Sequence, residues 1–96
     1  MAMFIVRLVL QDADWDDYTD VLHPAMEKQG FSKTITSDGG KTYKLPDAEY
    51  YINVDLTRQQ VRERAVAAAG VTKVKFRVLV TEAAGISWHN LEPATK

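Results

Sequence analysis

The stretch KTYKLPDAEYYINV, from Lys41 to Val54, is rich in residues that pleated structure favours, among them Tyr43, Leu45, Tyr50, Tyr51, Ile52 and Val54. Pro46 interrupts it. Proline has no N–H to give to a ladder and is excluded from central strands. Any sheet built from this run must therefore break there. The break suits a strand that pairs first at a sheet edge and then moves to the centre, with the PDA tripeptide as a bulge or jog. Tyr43 to Leu45 then pair only with the preceding strand, and Glu49 to Val54 enter the middle of the sheet. Adjacent tyrosines on a strand face opposite sides. Tyr50 shares its parity with Ile52 and Val54 and is assigned to the core, so Tyr51 is assigned to the open face.

The segment MFIVRLVLQ, Met3 to Gln11, is apolar on both faces apart from Arg7, as expected of a central strand. In the next segment Trp15, Tyr18, Val21, Leu22, Ala25 and Met26 recur at helical spacing. Asp14 is the expected N-cap, Lys28 lies in the last turn, and Gly30 fits the left-handed position after a helix. Pro24 conflicts with a regular helix interior, so a kink or a restart is expected there. FSKTITS reads as a second strand and SDGGK as the hairpin turn that follows it.

LTRQQVRERAVAAAG is the strongest local signal. Thr57 and Gln60 form a T-x-x-Q capping box, with Leu56 and Val61 at the staple positions. Val61, Ala65 and Ala68 form the buried stripe, and Gly70 is the expected stop. KVKFRVLVTE alternates Val74, Phe76, Val78 and Val80 inward against Lys73, Lys75, Arg77 and Leu79 outward. In GISWHNLEP, Ile86, Trp88 and Asn90 alternate with Ser87, His89 and Leu91, which suits a short fifth strand. The closing PATK reads as a frayed tail.

The element order β-α-β-β-α-β is that of a ferredoxin-like α+β sandwich. A four-stranded antiparallel sheet in the order 4-1-3-2 is expected, with both helices on one face and a C-terminal strand as an addition. The chain has 96 residues, which suits a single domain with one modest core.

The chemistry is bounded by what the composition lacks. There is no cysteine, which excludes disulfides, thiolate nucleophiles and cysteine metal clusters. The formal net charge is −1, so an anionic partner must be met by a local patch. No apolar run approaches the roughly 20 residues of a membrane span, and Met3 to Leu10 is too short for a secretory core, contains Arg7 and lacks a small-residue cleavage site, which leads to a cytoplasmic reading. No metalloprotease, P-loop or dinucleotide motif is present. Asp12, Asp14, Asp16 and Asp17 could hold Mg²⁺, but negative charge at a helix start explains them more simply. No cofactor and no metal site are expected.

The face away from the helices should carry Met3, Ile5, Arg7, Val9 and Gln11 from the first strand. Tyr51, Asn53 and Asp55 join them from the third, and Lys73, Lys75, Arg77 and Leu79 from the fourth. Arg7, Lys75 and Arg77 suit phosphate and Tyr51 suits base stacking, so RNA is one expected partner. The apolar members, Ile5, Val9 and Leu79, suit a second expectation, a homodimer or the C-terminal strand covering the face. The chain has two histidines. His23, just before a helix proline, reads as structural or solvated. His89 beside Trp88 is a candidate for proton transfer.

At GFSKTI, YKLPDAEYYI and LTRQQV the sequence resembles the GhoS family of small bacterial type V antitoxins. The resemblance runs from the first strand to the fourth. It implies a ferredoxin-like fold similar to the CRISPR-associated Cas2 proteins, and an endoribonuclease that cleaves a toxin messenger RNA. Cas2-type enzymes place an aspartate at the end of the first strand. Here that point reads Leu10-Gln11-Asp12, so the resemblance makes Asp12 the candidate catalytic carboxylate, placed just beyond the sheet. The other reading of the chain is a non-catalytic dimeric interaction module.

Overall fold

The computed structural model describes residues 2–37, 39–46, 48–88 and 91–93. Strand β1 is Ala2–Leu10. A π-helical stretch, Asp17–Leu22, runs into α1, His23–Lys28. Strands β2, Thr34–Thr36, and β3, Thr42–Lys44, form a hairpin. Strand β4 is Glu49–Val54, α2 is Arg58–Ala69, and β5 is Phe76–Ala83.

β1 is the centre of an antiparallel sheet ordered β4-β1-β5. Its alternation dictates the packing. Phe4, Val6, Leu8 and Leu10 are buried and meet Leu22 and Met26 from the first helical segment and Val61, Ala65 and Ala68 from α2. Burying a large apolar side chain is worth about 1.5–3 kcal/mol, so β1 anchors the core. Phe76, Val78 and Val80 of β5 pack against the same cluster, as their alternation requires.

The expected four-stranded sheet is corrected to three strands plus the separate β2–β3 hairpin. The jog at Pro46 is the reason. Leu45 N–H still donates to Lys33 O at 2.8 Å, on the β2 side, whereas Leu8 N–H donates to Ala48 O at 2.8 Å, on the β1 side. The chain changes partners within four residues, and a turn with Glu49 N–H bonded to Pro46 O at 2.9 Å closes the jog. Among the described residues the one ladder contact between this region and the sheet is the bridge of Ser32, just before β2, with Tyr51, so β4 lies at the sheet edge rather than in its centre. Tyr50 is 1% exposed and Tyr51 is half-buried, the split their adjacency demands.

Pro24 is accommodated by a restart. It occupies the first turn of α1, where a missing N–H is harmless. The turns before it widen into a π register, with His23 N–H bonded to Tyr18 O. The wider turn relieves the clash a proline ring makes with the carbonyl four residues back. At the helix start, Asp14 N–H donates to Asp17 Oδ2 at 3.1 Å, so the cap bond runs opposite to the one expected from Asp14.

Thr57 and Gln60 form both bonds of the capping box, at 2.9 and 3.1 Å. The expected stop at Gly70 moves. Gly70 keeps helical angles, the chain continues as a 3₁₀ turn, and Lys73 takes the left-handed position at φ 61°. Gly30 is left-handed at φ 94°, with its amide on Glu27 O at 2.9 Å.

The expected fifth strand is not formed among residues 84–88. The C-terminal segment instead lies along β3. Lys44 N–H donates to Glu92 O at 2.8 Å, Tyr43 bridges Pro93, and the Tyr43 and Trp88 rings are 5.5 Å apart. Of the alternation expected there, Asn90 lies outside the described residues, as does His89.

Candidate nucleic-acid interface

The open face of the sheet is set by the registers of β1. Ile5 lies between Tyr51 and Thr81, Arg7 between Glu49 and Leu79, and Val9 opposite Arg77. Arg7 and Arg77 are thus diagonal neighbours across β1 and β5, a relation that brings side chains within about 7–8 Å. Together with Val9 and Leu79 they line a shallow hollow of about 390 Å³. Leu79 is 63% exposed. A second hollow of about 180 Å³ continues along Val9, Gln11 and Arg77. Gln11 N–H donates to Lys75 O at 2.7 Å, which sets exposed Lys75 beside the same end of the face.

Sequence reasoning missed the acidic member of this face. Glu49 pairs with Arg7 at 3.5 Å. It shares parity with Tyr51, so the alternation rule that placed Tyr51 outward places Glu49 there too. An exposed pair of this kind is worth little in stability, but it divides the charge that Arg7 can offer an anion. Among the described residues Arg77 and Lys75 form no ion pair, so their charge is not divided in this way.

Tyr51 lies two residues along from this basic end and faces a different hollow. It lines a cavity of about 510 Å³ together with Met3 and Trp88. The structure therefore groups Arg7, Arg77 and Lys75, and sets Tyr51 apart from them on the same face.

Asp12 lies beyond β1, exposed and left-handed at φ 54°. An aspartate tolerates that conformation better than most residues. Among the described residues, no group of three or more histidines or carboxylates is placed to hold a metal ion, so the Asp12–Asp17 run does not form one. His89, the other candidate for proton transfer, lies outside the described residues.

His23 is structural. Its Nδ1 is hydrogen-bonded to the Tyr50 hydroxyl, and its ring meets the Tyr50 ring edge-on at 5.5 Å. Burial, and secondarily the neighbouring Tyr18, push the Tyr50 hydroxyl well above the ordinary tyrosine range. The phenol keeps its proton and can donate it to an unprotonated Nδ1. On the other side, Lys33 Nζ donates to Pro46 O at 2.7 Å and to Glu49 O at 2.8 Å, and lies 4.7 Å from the Tyr50 ring centre. Lys33 thus clasps the jog. Tyr18 acts similarly at the end of β1, where its hydroxyl accepts from Leu10 N–H at 2.8 Å and donates to Leu10 O at 3.2 Å.

Among the described residues no helix is long and apolar enough to cross a membrane. The chain matches no protein-family model and no curated protein sequence.

Proposed function

We propose that this chain is a small cytoplasmic RNA-acting regulator that holds single-stranded RNA on its open sheet face. The observation that carries the reading is the grouping of Arg77, Lys75 and Arg7 around half-buried Val9 and exposed Leu79, on a face whose other end presents Tyr51. Cationic side chains hold the backbone, and an aromatic ring on the same sheet accepts an unstacked base. In this reading the fold is a ferredoxin-like variant whose separate hairpin meets the edge strand β4 through the Ser32–Tyr51 bridge. Cleavage of a toxin messenger RNA rests on the resemblance to the GhoS family, with Asp12 and His89 as its proton-transfer groups. The described residues support phosphate and base contact more directly than cleavage.

The test is a titration with a mixed single-stranded RNA pool at two salt concentrations. Binding should weaken as salt rises, because each neutralised phosphate releases counterions. Arg77→Ala and Lys75→Ala should each lower the slope of log affinity against log salt by about one. No binding at low salt would remove the reading. The second reading, a dimeric interaction module, rests on exposed Leu79 beside Val9 and Ile5. It gains if sedimentation gives a dimer that Leu79→Lys dissociates, and loses if the chain stays monomeric at high concentration.

A further inference from the structure

The hollow lined by Tyr51 and Trp88 is separate from the basic end of the face. Its volume, about 510 Å³, falls within the range typical of small-molecule sites. Tyr51 and Trp88 contribute aromatic surface, and Met3, Ile35 and Ile86 contribute aliphatic surface. Thr36, Ser37 and Ser87 supply hydroxyls. Among the described residues that line it, none is charged.

The occupant that fits this lining is neutral, flat and polar at its edge. An ionised group would enter without a counter-charge and lose its hydration. A purely aliphatic ligand would leave the hydroxyls unused. A heteroaromatic ring with donors and acceptors at its edge uses both parts. The Thr36 hydroxyl is already paired with that of Thr42 at 2.9 Å, and Ser37 Oγ accepts from Lys41 N–H at 3.3 Å. A hydroxyl has one donor and two acceptor positions, so each keeps capacity for a ligand.

The walls are also held in place. Trp88 packs on Tyr43, and the segment that carries it is tied to β3 by the bond from Lys44 N–H to Glu92 O. A wall ordered before binding lowers the entropic cost of ordering on association. On β1, Ile5 lies beside Tyr51, and Arg7 is the next outward residue along the strand. A phosphate attached to a ligand in the hollow can therefore leave toward the Arg7 and Arg77 end.

We propose that this hollow binds one unstacked nucleobase, seated against Tyr51 and Trp88, while the adjoining phosphates lie on Arg7 and Arg77. The identification of the ligand as part of an RNA strand rests on the function proposed above. The binding of a neutral heteroaromatic ring rests on the lining alone.

The experiment uses the full chain with Trp15→Phe, which leaves Trp88 as the sole indole, since the protein has two tryptophans. Trp15 is 56% exposed, so this background should keep the fold. The probes are adenosine, cytidine and a short single-stranded RNA, with emission corrected for probe absorbance. Saturable quenching of Trp88 by a nucleoside and by the RNA is expected. Tyr51→Leu should weaken RNA binding by about 5- to 150-fold, the loss of one base-stacking contact, and leave the salt slope unchanged. The quenching needs no substitution in the hollow, so a variant that folds poorly does not decide the outcome. RNA binding with no nucleoside quenching and an unchanged Trp88 signal would overturn the base site and leave the RNA reading standing. Nucleoside quenching without RNA binding would support the hollow as a heteroaromatic site and overturn the RNA reading. No response to any probe would overturn both.

Discussion

The sheet β4-β1-β5 and the β2–β3 hairpin are both antiparallel, yet they are held in different ways. The sheet rests on a contiguous apolar core that runs from Phe4 to Ala69. Among the described residues of the hairpin and its exit, Ile35 and Leu45 are the buried ones, and both lie outside that cluster. Its strands have three residues each, and it depends on backbone bonds to its neighbours and on the Tyr43–Trp88 contact. A continuous core makes the sheet a rigid platform, whereas the hairpin is fixed by separate ties, each of which can be cut alone. The 510 Å³ hollow opens at the seam between the two regions. Binding residues are often found where a rigid scaffold positions less regular chain.

The largest expected effect tests the sheet against the hairpin directly. Tyr50→Ala removes a fully buried ring from the core and should cost about 3–5 kcal/mol. Tyr43→Ala removes a half-buried ring from the hairpin and should cost about 1–2 kcal/mol, mostly its pairing with Trp88. Urea denaturation monitored by circular dichroism measures both. Equal costs would mean that the hairpin belongs to the same cooperative core.

Next in size is the clasp between the regions. Lys33→Met keeps the aliphatic stem but leaves the carbonyls of Pro46 and Glu49 without the ammonium donor. These bonds are exposed or half-buried and Pro46 O keeps the Glu49 amide, so the loss should cost about 1–1.5 kcal/mol, the upper part of the range for one hydrogen bond. Amide exchange should sharpen the comparison, because the hairpin bond from Leu45 N–H to Lys33 O should exchange faster while Val6 and Leu8 in β1 keep their protection. Uniform acceleration across both would show that Lys33 supports the whole molecule rather than the seam.

A smaller effect is expected within the sheet region. Thr57→Ala removes the acceptor of Gln60 N–H and should cost about 1 kcal/mol. Gln60→Ala removes the reciprocal bond. The double variant should cost less than the sum of the two, since both act on one box. Strict additivity in a denaturation cycle would mean that the two bonds act independently.

The same division explains what could be read from the sequence. The inward face of β1, the capping box at Thr57 and the opposed tyrosines follow from periods of two and 3.6 residues, which are local. The break at Pro46 follows from a missing N–H. Contacts distant in sequence were not readable in this way. Nothing local tells that Lys33 reaches Pro46, that His23 meets Tyr50, or that the tail carrying Trp88 lies on β3 instead of forming a strand. The π register before Pro24 also depends on packing, because either a kink or a restart would satisfy the proline. Of the candidate site, Arg7, Arg77 and Lys75 came from alternation and stand together. Glu49 was readable by the same rule, since it begins the strand and shares parity with Tyr51, but the outward face was read only from Tyr51 onward.

The smallest effect concerns the Tyr50 hydroxyl at alkaline pH. An unfolded tyrosine ionises near pH 10, and burial holds the folded Tyr50 phenol protonated above that point. Between the two values the unfolded chain has lost a proton that the folded chain still binds. Stability therefore falls as pH rises through the unfolded value and keeps falling until the folded phenol ionises. Below pH 10 this contribution is fully present and the slope from Tyr50 is zero. Tyr50→Phe keeps the ring, removes the group that titrates, and leaves the His23 ring facing an apolar edge. Its stability should be slightly lower at neutral pH, through the lost hydrogen bond to His23, and should decline less steeply than wild type above pH 10. Tyr43→Phe, a matched change in the half-buried hairpin tyrosine, gives the comparison in the other region. Denaturation midpoints across the alkaline range measure all three proteins. Parallel curves for wild type and Tyr50→Phe would show that the buried hydroxyl titrates alike in the folded and unfolded chain, and that the sheet core is more open to water at β4 than its packing indicates.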